Sequence, residues 1–81
     1  MARVVLTANF ALYTGGESEL ELEAESIRQL LRRLGRRFPD LAPHLEQGLA
    51  VAVDGQIYQD DWFQPLAPDS EVHILPQIAG G

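Results

Sequence analysis

The chain has no cysteine and no lysine. Without cysteine there is no disulfide framework, no thiolate metal site and no thiol nucleophile. Without lysine, no side-chain ammonium of this chain can accept an isopeptide bond, so it cannot be polymerised through its own side chains. Aromatic residues are sparse, at 7%, and no apolar run approaches the roughly 20 residues a membrane-spanning helix needs. The start, Met1-Ala2-Arg3-Val4-Val5, enters a strand-like pattern with no signal-peptide features, so a soluble, cytoplasmic protein is expected. Positive charge is also short. Six bases stand against twelve acids for a net charge of -6, which argues against nucleic acid as the main partner.

What is there amounts to one domain. At 81 residues the chain is near the size where a single core is marginal, and its 46% hydrophobic content is that of a globular protein. The charges are segregated. Arg28, Arg32, Arg33, Arg36 and Arg37 fall in one ten-residue window, while glutamates alternate from Glu17 to Glu25. No aromatics or phosphate-cradling glycine loops interleave the arginines, which reads as the solvated face of a helix rather than a nucleic-acid surface.

Residues 4 to 10 alternate, with Val4, Leu6, Ala8 and Phe10 on one face and Val5, Thr7 and Asn9 on the other, the period of a half-buried strand. Thr14-Gly15-Gly16 breaks the pattern. Ser18 to Glu23 then resumes it with Leu20 and Leu22 inward and glutamates outward, so the two strands read as an antiparallel hairpin. The outward glutamates guard against edge pairing. Ser26-Ile27-Arg28-Gln29 fits a capping box. Behind it, Ile27, Leu30, Leu31, Leu34 and Phe38 form one helical stripe that Pro39 closes. Gly35 inside that helix costs about 1 kcal/mol relative to alanine and marks either a close approach or an early fray.

Residues 39 to 48 read as a loop with one irregular turn, in which His44 stands without a second ligand at useful spacing. Leu49 to Val53 has the small, β-branched character of a strand buried on both sides. Asp54-Gly55 is a turn signal leading into a short strand at Gln56-Ile57-Tyr58. Asp60 and Asp61 lack the third ligand or base that metal or acid–base chemistry needs, so no metal site is expected. Trp62 and Phe63 either cap the core or lie on a contact surface. Glu71 to Leu75 alternates again, Val72 and Ile74 inward, His73 and Leu75 outward, until Pro76, which has no N–H, stops the ladder.

Beyond Pro76 nothing signals packing, and the sequence stops on Gly80-Gly81. Two terminal glycines arise by chance in about one chain in 200 at average usage. Having no Cβ, they can thread a narrow channel and present an α-carboxylate to another protein. The expected domain is 1–76, with 77–81 as an extended, flexible tail. The element order is that of an α+β roll of β-grasp, ubiquitin-like type: a mixed sheet of about five strands with one main helix packed across it. From the fold, the first and last strands are expected to pair in parallel.

The whole chain resembles the ubiquitin-like sulfur-carrier family that includes the small subunit of molybdopterin synthase (MoaD) and the thiamine-pathway carrier (ThiS). Thr14-Gly15-Gly16, Ser26, and Val51-Ala52-Val53-Asp54-Gly55 carry part of the resemblance. The run Leu66-Ala67-Pro68-Asp69-Ser70-Glu71-Val72-His73-Ile74-Leu75-Pro76, ending on Ala79-Gly80-Gly81, carries the most specific part. Pro68-Asp69-Ser70 stands where a Gly-Asp turn is usual, and Gln77 where a second proline is common.

The resemblance implies that an E1-like, ATP-using enzyme adenylates the Gly81 carboxylate. Sulfur then replaces the adenylate, and the resulting thiocarboxylate is the donor. An α-carboxyl titrates near pH ~3.5, so at neutral pH it is an unreactive carboxylate until a partner activates it. Gly81 carries the sulfur, Gly80 gives backbone freedom, and Pro76, Gln77, Ile78 and Ala79 form the tether. Leu75, Phe63 and Trp62 are the candidate partner surface. The chain itself is expected to bind no cofactor and to catalyse nothing alone. The length and the Pro-x-x-Ala-Gly-Gly ending point to the molybdopterin-synthase small subunit, with the large subunit as acceptor. Carriers for thiamine, cysteine, tRNA thiolation or a sulfur-containing metabolite end almost identically, and a modifier conjugated through Gly81 shares the same tail. An interaction domain with an accidental Gly-Gly is the third class.

Overall fold

A computed structural model describes residues 1–46, 48–59 and 61–77. It contains β1 (Ala2–Leu6), α1 (Ala8–Ala11), β2 (Glu19–Leu22), α2 (Ile27–Arg37), α3 (Ala42–Leu45), β3 (Leu49–Val53), β4 (Gln56–Tyr58) and β5 (Glu71–Pro76). The strands form one sheet in the order β2-β1-β5-β3-β4. The last strand in sequence is thus the central one, parallel to β1 and antiparallel to β3. This is the β-grasp roll with a mixed five-stranded sheet, including the parallel pairing of first and last strands.

Alternation decides what each strand buries. Val4, Leu6, Val72, Ile74, Leu49 and Val51 point to one face, where they meet Ile27, Leu30, Leu31 and Leu34 of α2 in a continuous core. Burying those four helix side chains contributes on the order of 10 kcal/mol before chain entropy is subtracted. The five arginines of α2 lie on its solvent side. Arg33 reaches the Glu23 carbonyl, and Arg37 lies over the Phe38 ring at 5.5 Å.

The start of α2 is fully partnered. Ile27 N–H donates to Gln64 O at 3.1 Å, Arg28 N–H to Trp62 O at 2.7 Å, and Gln29 N–H to Ser26 Oγ at 3.1 Å. These are the donors a helix cannot satisfy by itself. Only half of the expected capping box forms, because Gln29 Oε1 accepts from Glu25 N–H at 2.7 Å rather than from Ser26. The Asp54-Gly55 turn has φ of 48° and 91°, both in the left-handed region that a tight two-residue hairpin requires. Gly35 marks a close approach: a Cβ there would stand 3.1 Å from Ala42 Cβ.

Two sequence expectations are corrected. The first strand ends at Leu6, and Ala8–Ala11 is helical. A short helix and a turn through Gly16 therefore replace the expected short hairpin connection. Thr7 opens this helix in an extended conformation, and Ala8 and Ala11 favour it. Phe10 still reaches the core, whereas Ala8 is exposed. The irregular turn expected in 39–48 is the one-turn helix α3, started by Pro43 in its first turn.

Candidate functional site

The site begins where β5 ends. Leu75 pairs with Ala50 and Pro76 with Leu49, and Gln77 is the first residue past the strand. β1 covers Glu71 to Ile74 and β3 covers Val72 to Pro76, so β5 is flanked on both sides from Val72 to Ile74 and by β3 alone at the exit. The direction in which the chain leaves the sheet is therefore set by the pairing of Leu75 and Pro76 with β3. Gly81, Gly80, Ala79 and Ile78 lie outside the described residues.

The sheet face turned away from α2 carries a cross-strand row: Glu19 beside Val5, Val5 beside His73, His73 beside Ala52, Ala52 beside Ile57. One step toward the exit, Leu75 and Ala50 continue it. Val5, Ala52 and Leu75 are half-buried, while Ile57 is 49% exposed. Arg3 pairs with Glu19 at 2.9 Å at one end of the strip, and His73, in its middle, donates from Nε2 to Glu71 Oε1 at 2.9 Å. Apolar side chains on either side of one polar group, running up to the exit, make this face a candidate protein-docking surface.

A shallow cleft of about 220 Å³ opens on the other side of the exit, lined by Asn9, Phe10, Tyr13, His44, Gly48 and Pro76. Tyr13 and His44 stack there with ring centroids 3.9 Å apart and planes inclined by 22°. His44, solitary in the sequence, thus has an aromatic partner from the α1 turn. Gly48 faces Gln77 across the strand end, and its missing Cβ leaves room for the Gln77 amide.

Of the residues singled out in the sequence, Leu75, Pro76 and Gln77 come together at the exit. Trp62 and Phe63 do not join them. Trp62 packs against the core and its carbonyl caps α2, while Phe63 is 75% exposed with the Arg28 guanidinium 5.5 Å above its ring. Sequence reasoning missed Tyr13, His44 and Gly48 as neighbours of the exit. Tyr13 follows α1, His44 lies in α3 and Gly48 just before β3, and only the β3–β5 register brings Gly48 opposite Gln77. Among the described residues no group of three or more His, Cys, Asp or Glu could hold a metal ion, and no helix is long and apolar enough to cross a membrane.

Comparison with known proteins agrees with this geometry. The model of the ThiS family matches residues 4–81. A chain of the Amycolatopsis orientalis BexX/CysO complex superposes with a TM-score of 0.83 at 18% identity, covering 100% of both chains. Small archaeal modifier protein 1 (SAMP1) from Methanosarcina acetivorans gives 0.82 at 23% identity, over 99% of this chain and 95% of that one. The putative molybdopterin converting factor subunit 1 of Pyrococcus furiosus gives 0.69 at 22% identity, over 95% and 97%. These structures share the fold. No curated protein sequence matches significantly.

Proposed function

Because the chain belongs to the ThiS family of small ubiquitin-like sulfur carriers, we propose that it carries sulfur as a thiocarboxylate on Gly81 and delivers it as the small subunit of molybdopterin synthase. The observation that carries the reading is the family match, which runs through the exit and the tail to residue 81. In the proposed reaction, a Gly81 carboxylate oxygen attacks the α-phosphorus of ATP in an E1-like partner, and pyrophosphate leaves. A hydrosulfide-level donor then attacks the acyl carbon and expels AMP.

This chain's own residues supply position rather than acid–base chemistry. The apolar strip of Val5, Ala52, Ile57 and Leu75 docks the partner. Pro76 releases the chain from the ladder, and the residues beyond it span the partner's channel. The Pro-x-x-Ala-Gly-Gly motif and the likeness to a putative molybdopterin converting factor subunit support the molybdopterin assignment.

Intact mass after co-expression with an activating enzyme and a sulfur source tests the carrier step. One oxygen-for-sulfur exchange at the C-terminus is expected, and an unmodified chain would overturn the reading. Deleting Gly81 should abolish the exchange. Adding the large subunit of molybdopterin synthase tests the acceptor: loss of the thiocarboxylate with conversion of the pterin precursor is expected. If the thiocarboxylate forms but is not consumed, the acceptor belongs to another pathway, such as thiamine, cysteine or tRNA thiolation. The likeness to SAMP1 favours one second reading, conjugation of Gly81 to lysines of other proteins. Higher-mass conjugates in lysate that vanish without Gly81 would establish it.

A further inference from the structure

Gly48 has the far end of the Gln77 side chain standing where a Cβ would be, so a side chain at 48 and Gln77 in this position exclude one another. The antiparallel register that pairs Leu49 with Pro76 places Gly48 opposite Gln77 one step further on. A Cβ on Gly48 would stand 2.6 Å from Gln77 Cδ and would overlap Oε1. Both residues are exposed, so the contact adds little to the core.

We propose that Gly48 and Gln77 are positioning residues: the missing Cβ forms a slot that seats the Gln77 side chain and holds the first residue past β5 in line with the sheet. The inference rests on the carrier reading, in which a partner must capture the chain end. Pro76 has no N–H to give to a ladder, so the backbone alone holds the exit weakly at this point. Seating Gln77 extends the order of β5 by one residue before the partner arrives. The free protein then already carries an ordering that binding would otherwise have to supply. Fixing one backbone residue corresponds to about a five- to thirtyfold change in affinity.

The test compares wild type, Gly48→Ala, Gln77→Ala and the double variant in two measurements. In thiocarboxylate formation with the activating enzyme, each single variant should raise the KM for the carrier by about five- to thirtyfold at unchanged kcat. The double variant should be no worse than Gln77→Ala, because the added methyl then has nothing to displace. In ¹⁵N relaxation of the free protein, the Gln77 amide should become more mobile in every variant, with thermal unfolding unchanged. Equal KM in all four proteins, additive losses, or unaltered Gln77 relaxation would overturn the proposal. Should the wild type take up no sulfur, the carrier reading fails on that ground, and the relaxation measurement still decides whether the slot holds Gln77.

Discussion

Gly35 of α2 and Ala42 of α3 lie at the closest approach of these two helices, and a methyl group on Gly35 would meet the Ala42 methyl at 3.1 Å and its Cα at 3.4 Å. Helix propensity alone would favour alanine at position 35 by about 1 kcal/mol. The tight contact opposes that gain, so Gly35→Ala should leave the urea midpoint nearly unchanged. Gly35→Leu cannot be absorbed by a shift of a few tenths of an ångström. It should destabilise by about 1–3 kcal/mol as α3 is pushed off α2. Chemical denaturation of both variants checks the pair.

The two helix starts should respond in opposite ways to loss of a hydroxyl. Ser26 Oγ accepts from Gln29 N–H at 3.1 Å, and Ser26→Ala should cost about 1 kcal/mol. Thr7 opens α1 without a side-chain cap, and its Oγ1 is buried without a hydrogen-bond partner among the described residues. Removing an unsatisfied polar atom while keeping the shape relieves a desolvation penalty. Thr7→Val should therefore be neutral or stabilise by up to about 1 kcal/mol. Melting temperatures measured side by side would show the contrast, and equal losses would refute it.

The β3–β4 turn holds two consecutive residues at positive φ, and only Gly55, at 91°, does so without strain. Gly55→Ala is expected to destabilise by about 1–2 kcal/mol. Asp54 has a second task, since its carboxylate accepts from Glu71 N–H at 2.9 Å while its own N–H donates to Glu71 O at 2.9 Å. Asp54→Ala should therefore loosen the start of β5 as well as the turn, seen as faster hydrogen exchange at Glu71.

Docking through the outer sheet face can be separated from folding. Ile57 is 49% exposed and Leu75 half-buried on that face, whereas Val72 and Ile74 of β5 face the core. Ile57→Asp should lower affinity for the activating enzyme by tenfold or more, the loss of the most exposed apolar side chain of that face, with little change in stability. Phe63→Ala, beside Arg28 and away from that face, should leave affinity within about twofold. Binding isotherms for the two proteins read this directly, and a reversal would move the docking surface to the start of α2.

Much of the fold could be read in the chain because its strongest signals are local. The stripe Ile27–Leu30–Leu31–Leu34, the cap at Ser26, the Asp54-Gly55 turn and the alternation of β5 each depend on neighbours a few residues away. α1 escaped because Val4 to Phe10 alternates on paper. A period-two pattern over so few residues does not distinguish a strand from a strand followed by one helical turn. The exit was legible as Leu75, Pro76 and Gln77. Its surroundings were not, because Tyr13, His44 and Gly48 become its neighbours only through tertiary packing. Trp62 and Phe63 show the opposite failure: adjacent large aromatics look alike in a sequence, yet one packs on the core and the other faces water.

The central place of β5 also governs when the protein can exist during its synthesis. Until residues 71–76 emerge, β1–β2 and β3–β4 are two separate two-stranded ribbons, and such ribbons are marginal alone in water. A nascent chain halted before Glu71 has no strand to join them. The sheet closes only when residues 71–76 are free to move into its middle. Closure of the sheet therefore waits for β5, the strand that joins the two ribbons. A β5 seated in the middle of the sheet marks a closed fold, so a partner that grips the sheet and the exit together engages only chains whose sheet has formed.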